Sequence, residues 1–174
     1  MERVLDIEEL EDLIEKVKEH IEKELIKANR SGELEEFLIK CGYIEESYFY
    51  SEPNTSKVLV IGDSQIPESV LKGVIKELGL DKERFEFVLN YNDAKNFPMN
   101  ILKYNSKYCD VLIGPVPHKT TGMGDCSSII AEITNHPEDY PKLNIMRSSG
   151  EIKITKTSFR EALLNSQLYK NERS

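Results

Sequence analysis

Four short apolar runs, separated by segments of helical pattern, limit what this chain can fold into more than any other feature. They lie in "KVLVIGD", "RFEFVLNYND", "DVLIGPV" and "KLNIMR". Each is short, and "KVLVIGD" is an apolar, β-branched run ending in Gly-Asp, which reads as a strand. The intervening "PESVLKGVIKELGL", "NFPMNILKYNSKY" and "CSSIIAEITNH" read as helices. After "SSGEIKI", Ser158 and Glu161 have the form of a capping box opening a last helix, "FREALLNSQLYK". Strands alternating with helices in this way imply βαβ units and a parallel sheet. Uninterrupted apolar strands such as "VLVI" fit a sheet covered on both faces. Right-handed crossovers leave few topologies, of which the order 2-1-3-4 is the simplest. The expected fold is therefore α/β, a three-layer Rossmann/flavodoxin-like parallel sheet of about four strands, over residues 57–174.

The first 50 residues follow another period. Ile7, Leu10, Ile14, Val17 and Ile21 recur at spacings of three and four, which lines one face of a helix. Asp6 with Glu9 predicts a capping box at its start, and the region of Gly32 predicts its stop. A second helix after Ser31 would turn Leu34, Phe37 and Leu38 inward, with Gly42 just past its end. The stripe suits either docking within a helical hairpin or the seam of a homodimer. "SYFYSEPNTSK" then reads as a linker to the α/β domain.

Charge separates the two parts as well. Residues 1–50 hold 15 acidic and 7 basic side chains, whereas the remainder holds 16 of each. The net charge of −8 thus belongs to the helical segment. Such a surface argues against nucleic acid as its partner, because phosphate backbones are bound by clustered Lys and Arg. No apolar run approaches the roughly 20 residues needed to span a bilayer, so no membrane partner is expected. "MERVLDIEELEDL" lacks the basic-then-apolar pattern of a secretory signal. Cys41, Cys109 and Cys126 are scattered, without a CxxC, and suggest no disulfide framework. The expected compartment is the reducing cytoplasm. His20, His118 and His136 lack metal-ligand spacing, and nothing names a cofactor.

The topology brings two loops together. In the order 2-1-3-4 the loops after strands 1 and 3 lie side by side at the carboxyl edge, where open α/β sheets bind ligands. These loops are "GDSQIP" and "GPVPHKTTGMGD". Gly62 and Gly114 end apolar strands and permit close backbone approach. Gly122 and Gly124 precede a helix beginning near Asp125, Cys126, Ser127 and Ser128, where free N–H groups favour an anion. His118 and Lys119 add donors. The candidate ligand-binding set is Gly62, Asp63, Ser64, Gln65, Gly114, His118, Lys119, Gly122, Gly124, Asp125 and Ser127. The implied ligand is a small molecule, nucleotide-like or otherwise phosphate-bearing. The same glycines also fit a plain turn before an Asp-capped helix. Cys126 sits where a thiol can be reactive, or where a small residue is simply buried.

Three resemblances bear on function. "VLVIGDSQ" resembles the first block of SGNH hydrolases, which implies Ser64 as nucleophile, and "NYND" echoes their Asn-bearing block. Their late Asp-x-x-His pair is missing, since Ile133 stands where the aspartate belongs before His136. "DCSSIIAEI" resembles nucleoside deoxyribosyltransferases, which implies Glu132 as nucleophile and Asp125 as helper. Here the Asp-to-Glu spacing is one residue longer, a turn of about 100° on a helix. Most extensively, from Lys57 to about Leu164 the chain resembles a group of short bacterial Rossmann-like domains of unknown function. "VLVIGDSQ" and "RSSGEIKITKTSFREAL" carry that likeness, with "EIKITK" as an insertion. It implies the fold and a bacterial origin, names no activity, and directs attention to Arg147, Ser148, Ser149 and Gly150.

Overall fold

The computed structural model describes residues 5–43, 55–116 and 126–173, apart from the side chains of residues 126–129. The chain divides into two compact units, Met1–Tyr50 and Ser51–Ser174.

In the first unit, α1 (Ile7–Ser31) opens with the expected capping box: Asp6 accepts from the Glu9 N–H, and the Glu9 carboxylate accepts from the Asp6 N–H. It closes on Gly32, whose φ of 81° is open to glycine without strain. The chain then reverses into α2 (Leu34–Lys40), which packs against α1. Leu25, Ile26, Leu34, Phe37 and Leu38 are half-buried and Ala28 is buried. Seven residues of helix span about 10 Å, whereas the 25 of α1 span nearly four times that. Consistent with that shortfall, Leu10, Leu13, Ile14, Val17 and Ile21 remain 40–47% exposed, and Ile7 77%.

The second unit is α/β. Strands β1 (Lys57–Ile61), β2 (Phe85–Val88), β3 (Tyr108–Ile113) and β4 (Lys142–Ile145) form a parallel sheet in the order β2-β1-β3-β4. This is the topology expected from the sequence. Alternate residues of β1 serve opposite faces. Val58 and Val60 pack with α3 (Glu68–Glu77) and with Phe159 and Leu163 of α6 (Lys156–Leu164). Leu59 and Ile61 pack with Ala94 of α4 (Tyr91–Asn96) and Ile133 of α5 (Cys126–Asn135). The central strands β1 and β3 are almost wholly buried, and the edge strands β2 and β4 are mostly half-buried.

Several local expectations are corrected. "NYND" does not continue β2. The Asn90 side chain accepts from the Asp93 N–H and starts α4 instead. "NFPMNILKYNSKY" forms only a 3-10 turn, Met99–Leu102: Pro98 starts it, Lys103 is already extended at ψ 127°, and Tyr104 follows with a left-handed φ of 54°. The final helix begins earlier than Ser158. Thr155 is its N-cap and Ser158 the third residue, each hydroxyl accepting from the other's backbone N–H. Glu161 plays no part in that box. Thr155→Ala is expected to lower stability by about 1 kcal/mol, measured by urea denaturation.

That helix is also broken in two, and Asp110 explains the break. Cys109 is the extra residue of a β-bulge in β3, since Lys57 pairs with Tyr108 and Val58 already with Asp110. Asp110 is 0% exposed, and its carboxylate reaches α7 (Gln167–Asn171). One oxygen accepts from the Gln167 N–H at 2.8 Å, the other from Leu168 N–H at 3.0 Å. Ser166 supplies the next acceptor, for the Tyr169 N–H. The first N–H groups of α7 are thus all satisfied, which favours a new helix start over a continuation of α6.

Candidate functional site

The carboxyl edge is assembled mainly by backbone. The sheet ladder continues past the strand ends: Gly62 N–H donates to Val88, Gly114 N–H to Ile61, and Met146 N–H to Ile113. The loop after β1 then sits between the other two. Asp63 N–H donates to the Pro115 carbonyl at 2.6 Å, and Ser64 N–H to the Leu89 carbonyl at 2.9 Å. Gly62 is the reason the loops after β1 and β3 can approach so closely, and Gly114 makes room for Ile154. A Cβ on Gly62 would lie 2.9 Å from both Cα and C of Gly114, and 3.0 Å from the Pro115 oxygen. A Cβ on Gly114 would lie 2.3 Å from Cγ1 of Ile154.

Ile154 arrives from a short hairpin that follows β4. "RSSGEI" is a two-residue β-hairpin, β5 (Arg147–Ser148) pairing antiparallel with β6 (Glu151–Ile152). Its corner residues, Ser149 and Gly150, have φ of 53° and 85°, the signature of a type I′ turn. Lys153 N–H closes the hairpin on the Met146 carbonyl at 2.9 Å. The alternation in "EIKIT" was the available signal for this return strand.

The candidate residues divide into three groups. Gly62, Asp63, Ser64, Gln65 and Gly114 are brought together at this edge. The Asp63 and Gln65 side chains are exposed, and Ser64 is half-buried. His118, Lys119, Gly122, Gly124 and Asp125 lie outside the described residues. Ser127 falls in the first turn of α5, but its side chain is likewise outside them. The wall formed by Ile154 and the acceptors Val88, Leu89 and Pro115 were missed, because carbonyl positions and packing partners leave no motif.

Three residues implied by the resemblances, Ser64, Asn90 and Glu132, make hydrogen bonds within the fold, and Asp125 lies outside the described residues. Ser64 Oγ donates to the Ile66 carbonyl at 2.9 Å and accepts from the Ile66 N–H, a closed turn. Asn90 is engaged with Asp93 through both ends of its amide. Glu132 lies some six residues down α5, about 9 Å along the helix from its start. There it meets Lys103 Nζ and Tyr140 OH, each at 3.4 Å. Lys103 also faces Asp139 at 3.3 Å, and Tyr104 OH donates to Asp139 at 3.0 Å. Lys103 and Tyr104 precede β3, and Asp139 and Tyr140 precede β4, so this cluster marks the amino side of the sheet. Burial alone would lower the Lys103 ammonium, but its bonds to Asp139 and Glu132, with Tyr140 nearby, outweigh that and raise its pKa. Burial pushes the Cys109 thiol up, away from the reactive thiolate.

Among the described residues no group of three His, Cys, Asp or Glu side chains is placed to hold a metal ion, and no helix is long and apolar enough to cross a membrane. Comparison with protein-family models, with curated proteins and with solved structures finds no match to this chain.

Proposed function

We propose that the α/β unit is a small-molecule binding or sensing module whose ligand, nucleotide-like or phosphate-bearing, sits at the carboxyl edge beside the loops after β1 and β3. What carries this reading is the closeness of the two loops. They are joined by the Asp63-to-Pro115 hydrogen bond across paired glycines, at the switch point where parallel α/β sheets take ligands. The donors in "VPHKTTGMGDCSS" continue directly from that junction in sequence. Lys119 and His118 are suited to a phosphate, and the start of α5 to an anion. Bacterial origin, a cytoplasmic location and the Rossmann-like kinship belong to the same proposal.

Binding to the folded state alone raises stability by about 2.7 kcal/mol at a ligand concentration one hundred times Kd. A panel of nucleoside mono-, di- and triphosphates, with inorganic phosphate as reference, is therefore expected to raise Tm by several degrees for at least one member. A flat response across the panel overturns the reading.

A second reading concerns the helical unit. The exposed stripe from Ile7 to Ile21 favours self-association through α1, giving a homodimer.

A further inference from the structure

We infer that α1 pairs with α1 of a second copy in antiparallel orientation, with Glu11 of each chain against Lys18 of the other. This rests on the self-association reading above and adds to it a direction and a register.

The apolar positions define the seam. Ile7, Ile14 and Ile21 recur every seven residues, and Leu10 and Val17 fall three residues after the first two. This is the a/d pattern of paired helices. Only the part of α1 beyond Ile21 is covered by α2, so about four turns of seam stay open. The open groove is apolar along its floor and has Lys18 and Glu22 at its side.

The flanking charges choose the direction. Glu11 and Lys18 each follow a d residue, Leu10 and Val17, so both occupy the position called e. Asp6 and Leu13 each precede an a residue and occupy g. In a parallel pair, e of one helix meets g of the other. Glu11 would then face Asp6 of the copy, two like charges repeated on both sides, and Lys18 would face Leu13. In an antiparallel pair with Ile14 opposite Val17 and Leu10 opposite Ile21, e meets e. Glu11 then faces Lys18 of the copy twice over. Leu13 meets His20, which leaves no like-charge contact on that side. Opposed helices also set the positive end of each dipole beside the negative end of the other.

Lys18 is free to make this exchange. Its present partner is Glu15 at 2.9 Å on its own helix, with both side chains at least two-thirds exposed. An exposed pair of that kind holds its geometry weakly.

The test is sedimentation equilibrium on the full chain and on two charge reversals. Glu11→Lys puts lysine opposite lysine at both ends of the antiparallel seam, and Lys18→Glu puts glutamate opposite glutamate. Each is expected to weaken the homodimer roughly tenfold, since two flanking pairs change sign together. Mixing the two variants at equal amounts is expected to restore a dimer of wild-type strength containing one chain of each. If Glu11→Lys instead tightens the dimer, the parallel arrangement is in place and the inferred register is overturned, while self-association stands. If the unaltered chain is a monomer at every concentration, self-association itself fails and the register falls with it.

Discussion

Replacing Asp110 by alanine is expected to lower the stability of the α/β unit by about 3 kcal/mol, the largest single effect foreseen for a polar residue. The carboxylate is fully buried in a central strand and accepts the first two N–H groups of α7. Alanine would orphan both donors, of which that of Leu168 is buried, and the loss of one buried charge offsets only part of that. Asp110→Asn should fall between, because its amide oxygen can serve one donor while its amino group confronts the other. Urea denaturation of the three proteins measures the difference. A loss below 1 kcal/mol for the alanine variant would show that α7 does not depend on this cap.

The same carboxyl group carries a pH dependence. Burial pushes its pKa up, against the downward pull of the Gln167 and Leu168 N–H groups. Its folded-state value thus lies above the ordinary aspartate value of about 3.9. A raised carboxyl pKa means the folded state binds the proton more tightly than the unfolded chain does. The associated stability is fully present below the ordinary value and is lost as pH rises through the folded-state value. Other carboxylates titrate nearby, so the readout is the stability of the unaltered protein minus that of Asp110→Asn. This difference should decline with rising pH just above the ordinary aspartate range and then level off.

Gly62→Ala is expected to cost about 3 kcal/mol as well, for a steric reason. Gly62 has φ of 147°, a region that side chains disfavour, and its missing Cβ faces the backbone of Gly114 and Pro115. Main-chain atoms held in a ladder cannot rotate aside. Gly114→Ala makes the instructive comparison, since its Cβ would collide with the Ile154 side chain instead. Shortening Ile154 to alanine should recover part of the Gly114→Ala loss and none of the Gly62→Ala loss. Equal recovery in both would mean that the junction is looser than the glycine contacts imply.

These two residues mark the boundary of what was legible in the sequence. Gly62 and Gly114 follow apolar strands, and the strand order follows from crossover handedness, so their meeting could be reasoned out before any coordinates. The α1 boundaries were equally readable, because Asp6, Glu9 and Gly32 act on their immediate neighbours. Asp110 was not readable. Its role depends on a bulge at Cys109 that turns it toward α7, and on a helix 57 residues away whose start it caps. The helix break at Ser166 was hidden for the same reason, as "REALLNSQLYK" is locally compatible with one continuous helix. The hairpin at Ser149 and Gly150 lay between these extremes. Its turn residues were visible, but its contact with Gly114 was not.

The bond between Asp110 and α7 also bears on the order in which the domain can form. β3 is the third strand of the chain and sits in the middle of the sheet, yet its buried carboxylate has no helical donors until Gln167 and Leu168 have been made. Strand pairing can precede this step, but the sheet itself brings to that carboxylate the Asn144 amide of β4, at 3.3 Å, in place of the two α7 donors. A nascent chain that stops short of Ser166 is therefore expected to hold an unfinished sheet, and the domain should lock only as α7 docks. Such a late, long-range closing contact slows folding.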